Sequence, residues 1–174
     1  GKYYLADLRT LKRTGKLNGR ISFDQDRVFD WSFKSQDMVI LDLDHIAQLD
    51  VPMRGKVVVE SAGHGKADAL DSNSRVSVSD LVVRGVPMPP SLLLVKTEAG
   101  VWQVRGTALG GQVALDLTYN TNPGMQSYLK ADFSHFDFSP VILLLNPKLI
   151  QDKALAGSLS GIVNLSFRSG EIER

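Results

Sequence analysis

The 174-residue chain has no cysteine and only three histidines. The first absence excludes a disulfide framework and a thiolate zinc site. Long hydrophobic runs are also missing. The longest, Val141 to Leu145, has five residues, far short of the roughly 18 needed to cross a bilayer as a helix. Nor does one sign of charge dominate. Lys and Arg number 20 against 19 Asp and Glu, for a net charge of +1, which argues against a dedicated nucleic-acid binder with its strongly basic domain. What is present is a 43% hydrophobic composition, too rich for disorder. The length suits one globular domain, or two small ones, with enough chain for a core.

Charge is uneven along the chain. Residues 1–20 carry Lys2, Arg9, Lys12, Arg13, Lys16 and Arg20 against Asp7 alone. Such an entry segment suits a solvated end or an anionic lipid surface. Tyr4, Leu5, Leu8 and Leu11 recur there at helical spacing, and Gly15 is a stop signal, which predicts a basic amphipathic helix over 1–15. The ends, Gly1-Lys2-Tyr3-Tyr4 and Glu171-Ile172-Glu173-Arg174, read as those of a fragment of something longer.

After residue 15 the period changes to two. Phe29 to Lys34, Val76 to Ser79 and Val113 to Asn120 alternate apolar and polar residues, which places the apolar ones on one sheet face. Val57-Val58-Val59 and Leu92-Leu93-Leu94-Val95 are solid apolar runs flanked by Gly and Pro, read as strands. Turn signals recur at 63–65, 71–74, 87–90, 98–100, 110–111 and 120–124. Ten to twelve antiparallel strands follow from that spacing. Ser139 as an N-cap and Pro140 behind it open a helical insertion over 139–152, interrupted by Pro147. The expectation is an all-β dominated fold with about two short helices.

One pattern occurs four times: apolar-x-Gly-x-β-branched-x-apolar-polar, with Gly19, Gly55, Gly111 and Gly161 at its centre. A glycine at a strand start permits a bend or bulge. The residues two and four positions later then share a face. The set of apolar positions expected on one face is Ile21, Phe23, Phe29, Trp31, Phe33, Val57, Val59, Val113, Leu115, Leu117, Tyr119, Val163, Leu165 and Phe167. Two short helices cannot cover a sheet of about ten strands, which at about 4.8 Å per strand spans nearly 50 Å. A face that large is not left in water by monomers. Three solutions stand open: a filled sandwich or barrel, an open groove holding apolar ligand, or docking on a partner. First principles favour the filled core.

Catalytic patterns are unconvincing. Gly157-Ser158-Leu159-Ser160-Gly161 is out of register for a nucleophile elbow, its central residue being Leu159. Gly63-His64-Gly65-Lys66 fails both the phosphate-loop and dinucleotide patterns. Asp42-Leu43-Asp44-His45 would need a further ligand to hold a metal. His135 and Asp137 alternate with Phe136 and Phe138, as on the polar face of a strand. The reading is of a non-enzyme, without cofactor or metal.

Two stretches carry a family resemblance. One is Val104-Arg105-Gly106-Thr107-Ala108-Leu109-Gly110-Gly111-Gln112-Val113. The other runs from Lys130 through Asp137-Phe138-Ser139-Pro140 and the Val141–Leu145 segment to Leu155-Ala156-Gly157-Ser158-Leu159-Ser160-Gly161-Ile162-Val163-Asn164-Leu165. Over residues 100–168 the chain resembles the AsmA/TamB family of bacterial envelope proteins. Residues 15–60 share only the glycine element, and residues 61–95 match no part of the pattern, which predicts an edge element or a distinct subfamily there. The resemblance implies a periplasmic β-sheet curled into a taco-like groove, with an inner-membrane anchor outside this fragment. It implies phospholipid as ligand, moved between inner and outer membranes of a Gram-negative cell. The fourteen apolar residues would line the groove, and the four glycines would set its curvature. An envelope protein partner, as in outer-membrane protein assembly, is the alternative.

Overall fold

A computed structural model describes residues 3–4, 8–9, 15–24, 27–36, 38–42, 52–66, 69–139 and 157–169. These residues form one antiparallel sheet of thirteen strands. The strands are β1 (Tyr3–Tyr4), β2 (Leu8–Arg9), β3 (Lys16–Phe23), β4 (Val28–Gln36), β5 (Met38–Val39), β6 (Met53–Lys66) and β7 (Ala69–Val83). They continue as β8 (Val86–Met88), β9 (Ser91–Glu98), β10 (Val101–Ala108), β11 (Val113–Asn120), β12 (Gln126–Asp137) and β13 (Ser158–Arg168). The path across the sheet is β1-β3-β4-β6-β7-β9-β10-β11-β12-β13. Short strands β2, β5 and β8 pair with β3, β6 and β7. The sheet is curled and does not close into a barrel.

The connections are short because the sequence supplies left-handed residues where they are needed. Arg84-Gly85 and Ala99-Gly100 both have positive φ at both positions, the geometry of a type I′ turn whose twist matches the flanking strands. Leu109, Gly110 and Gly111 are left-handed in succession. That turn docks on the loop before β9. The Gly110 N–H donates to the Pro90 carbonyl at 2.7 Å, and the Leu109 N–H donates to Ser91 Oγ at 3.2 Å.

Several expectations need correction. Residues 63–65 and 71–74 are not turns; they lie inside β6 and β7, the two longest strands. Their glycine and small polar residues serve close packing between strands instead. Residues 61–95 are not an edge element either, since they form the middle of the sheet. Within the expected helix 1–15, Tyr3–Tyr4 and Leu8–Arg9 are short strands on the free side of β3. The unpaired N–H and C=O groups along that side outweigh a helical period spread over few residues. Besides Ser139, which is helical, the described helices are two single 3₁₀ turns, Ile40–Asp42 and Leu109–Gly111. Of the expected insertion over 139–152, all but Ser139 lies outside the described residues. There, Asp137 takes the capping part expected of Ser139. Its Oδ1 accepts the Ser139 N–H at 2.8 Å, and the bonds from Ser139 hold its carboxyl below the usual range.

No filled core exists among the described residues. The buried apolar residues are Ile40, Val57, Val113 and Ala131. The chain exposes 12453 Å², about 4,000 Å² more than a compact monomer of its mass would. The described residues thus form neither the closed barrel nor the filled sandwich favoured on first principles. The sheet is one layer thick.

Candidate functional site: an open apolar face

Cross-strand partners in a sheet share a face, so the registers assign every strand residue to one side. Followed from β3 to β13, they put all fourteen expected apolar residues on the same face. They also add residues that the sequence reading missed: Val76, Leu93, Val95, Val104, Trp102 and Phe133. Val95 and Leu93 sit within solid apolar runs, whose side assignment needs the register. Trp102 was the findable one, since it alternates with Val104 on its own strand.

The face is not uniform. One row is apolar from β6 to the sheet edge: Val59, Val76, Leu93, Gly106, Leu115, Ala131 and Val163, each opposite the next. Its six strand intervals span about 29 Å. The next row holds Phe33, Ser61, Ser74, Val95, Val104, Leu117, Leu129 and Leu165. A third runs Ile21, Trp31, Gly63, Ser72, Thr97, Trp102 and Tyr119. Ser61, Ser72, Ser74 and Thr97 thus form a hydroxyl patch in the middle of the face.

That patch is internally satisfied. Trp31 Nε1 donates to Ser61 Oγ at 3.1 Å, and Ser74 Oγ donates to Ser61 Oγ at 2.8 Å. Ser72 Oγ and Thr97 Oγ1 are 2.7 Å apart. A hollow of about 340 Å³ lies over it, bounded by Trp31 and Trp102. The hydroxyls therefore interrupt two of the three rows and leave the Val59–Val163 row continuous.

Much of the face is wet. Phe23 is 48% exposed, Trp102 48% and Leu165 53%. Val57 and Val113 are buried. Phe23 packs against Phe29 at the end of the β3–β4 hairpin, with ring centroids 6.1 Å apart. Tyr119 and Phe167 stack at 6.4 Å near the other edge.

The four repeated glycines do not share one role. Gly19 lies within β3 opposite Phe33, where a Cβ would stand 2.4 Å from the Phe33 Cβ. Gly55 sits where β6 and β7 slip register, opposite a left-handed Asp80. Gly111 belongs to a turn, and Gly161 is in β13 with open space around it. The tight sites include two outside the repeat. A Cβ on Gly106 would meet the Leu92 carbonyl oxygen at 2.0 Å, and one on Gly63 would meet the Trp31 ring at 2.1 Å. Neighbouring strands approach this face most closely there, so Gly19, Gly63 and Gly106 permit the packing expected of the repeat.

The opposite face is polar and charged. Lys34, Glu60, Arg75, Leu94, Arg105, Asp116 and Lys130 stand opposite one another in one row. Lys34 bridges Glu60, whose carboxyl it holds low, with Arg75 adding to the effect. Arg105 Nε lies 3.3 Å from Asp116 Oδ2. Lys96 bridges Glu98 at 2.5 Å and lowers that carboxyl likewise. Lys56 bridges Asp80 at 2.8 Å, and that bond raises the lysine. His64 Nδ1 meets Asp30 Oδ1 at 2.7 Å.

Among the described residues, histidine and acid meet in the His64–Asp30 pair. No group of three or more that could hold a metal occurs among the described residues. His135 is left-handed in the bulge between Phe133 and Phe136, so it does not continue the alternation with Asp137. The 157–161 segment enters β13 rather than a strand-to-helix elbow. Leu43, Asp44 and His45 lie outside the described residues. No family model matches the chain, and neither a curated protein nor a solved structure matches it.

Proposed function

We propose that this chain is a segment of an intermembrane phospholipid-transport protein of the AsmA/TamB kind, periplasmic and anchored in the inner membrane through chain outside this segment. The observation that carries the reading is the continuous apolar row from Val59 to Val163 on a face that no second layer covers among the described residues. Acyl chains lie along it while head groups stay at the solvent edge. The row, at about 29 Å, exceeds the roughly 15 Å depth of one leaflet of a 30 Å hydrocarbon core. Each methylene removed from water contributes about 0.8 kcal/mol. Contacts of that kind are non-directional, so a lipid slides by exchanging them and chain type matters little. No residue is catalytic in this mechanism.

Native mass spectrometry of the purified chain, with organic extraction, tests it. The expected result is co-purified phospholipid at a defined stoichiometry, lost in Leu115→Asp. A lipid-free wild-type chain would sink the proposal.

One observation favours the second reading, a β-scaffold for an envelope protein partner. Among the described residues, strand β13 is paired on one side only and runs eleven residues, almost all exposed. It has no proline or lysine to blunt pairing. An incoming strand could add to it by main-chain hydrogen bonds. Leu115→Asp leaves that edge intact, so partner capture surviving in this variant identifies the scaffold.

A further inference from the structure

A hollow of about 1100 Å³ does not lie against the apolar row. It lies on the polar face across β3, β4, β6, β7, β9 and β10. Its charged lining is Arg20, Lys34, Arg75, Lys96 and Arg105, against one carboxylate, Glu60. With Glu98 and Asp116, which pair with two of these cations from just outside the lining, the balance is five cations against three carboxylates.

These cations are not equally committed. Lys34 is held by Glu60 and Lys96 by Glu98. Arg105 meets Asp116 through Nε at 3.3 Å. Arg20 and Arg75 have no ion-pair partner within 4 Å among the described residues. The free donors are thus guanidinium groups, whose planar fork matches phosphate oxygens two at a time.

The register adds a shape. Arg75 and Arg105 each stand opposite Leu94, on its two sides. Their backbones are therefore two strand spacings apart, about 10 Å, close enough for two long side chains to converge on one group. Leu94 between them is 49% exposed. The site offers two forked cations above an apolar floor.

We propose that this hollow binds a phosphate ester, with Arg75 and Arg105 gripping the phosphate, Arg20 adding field, and the uncharged part of the ligand resting on Leu94. The site is independent of the acyl-chain reading, because it is on the other side of the sheet. A lipid head group and a soluble ester share this chemistry.

The test uses the 174-residue chain and two probes: sn-glycerol 3-phosphate by isothermal titration, and phosphatidylglycerol vesicles, with phosphatidylcholine vesicles as control, by co-sedimentation. The expected result is saturable binding of at least one probe, weakened at least tenfold in Arg75→Gln and in Arg105→Gln. Lys130→Gln removes one charge from the same face outside the hollow and should change affinity less than twofold. Binding of the soluble ester assigns a free ligand; binding of the anionic vesicles alone, with the same arginine dependence, assigns a head group. An equal loss in Lys130→Gln and Arg75→Gln would overturn the proposal, as would no saturable binding of either probe. Circular dichroism on each variant separates lost binding from lost fold.

Discussion

Replacing Gly106 with alanine would place a Cβ 2.0 Å from the Leu92 carbonyl oxygen and 2.9 Å from the Leu93 Cα. Comfortable non-bonded separations are about 3.5 Å or more. The obstacle is backbone, so no rotamer change relieves it. Gly106 is also laddered on both sides, to Leu93 and to Leu115, and neither neighbour can retreat without disturbing the next strand. Overpacking of this kind costs about 1–3 kcal/mol, sometimes more. Against it stands a gain of about 0.4–1 kcal/mol from the stiffer unfolded chain. The net expectation is a loss of about 1–2 kcal/mol, or about 2–8 °C in Tm for a chain of this length. Gly161→Ala makes the same chemical change on the same face where nothing lies within 4 Å. It should be neutral or gain up to about 1 kcal/mol. Urea titration by far-UV circular dichroism reads both, as a shift of midpoint at constant slope. Equal midpoints for the two variants, or the reverse order, would refute the assignment of Gly106 to a close approach of strands.

Further expectations rest on other groups. Ser127 is fully buried; its hydroxyl accepts the Asn120 N–H at 3.0 Å and lies 2.9 Å from Ser169 Oγ. Ser127→Ala should cost about 1–3 kcal/mol by stranding a buried donor, and Ser127→Ala with Ser169→Ala should fall short of the sum of the two, both read by urea titration. Asp137 titrates below its ordinary value because of Ser139, so its contribution is present above about pH 3.9 and is lost as pH falls through the lower folded value. The stability gap between wild type and Asp137→Asn should therefore shrink on acidification; a gap that widens below pH 4 would contradict the bond. Lys56, raised by Asp80, works the other way. Its contribution holds below about pH 10.4 and fades as pH rises through the folded value, so Lys56→Met should approach wild type in alkaline melts.

Local pattern settled the period-two strands, and with them the shared face of the apolar residues that alternate in them. Alternation in Val113–Asn120 and Phe29–Lys34 is a property of the chain alone, because successive side chains in a strand must point to opposite sides. Ala99-Gly100 and Gly110-Gly111 were legible as turns for the same local reason, since glycine takes the left-handed region at little steric cost. What local pattern could not carry was the identity of neighbours. Gly63-His64-Gly65 and Asp71-Ser72-Asn73-Ser74 look like loops by composition. They are strand because each backbone group there finds a partner across β4, β6, β7 and β9, and the small residues fit beside the Trp31 ring. Tyr3–Tyr4 and Leu8–Arg9 lost a helical period to the free side of β3. The largest decision was also tertiary. Periodicity says that a face is apolar but is silent on what covers it. Only the register shows that hydroxyls from β6, β7 and β9 meet in the middle of that face, and that arginines and lysines from β3, β4, β7, β9 and β10 gather over one hollow on the other side.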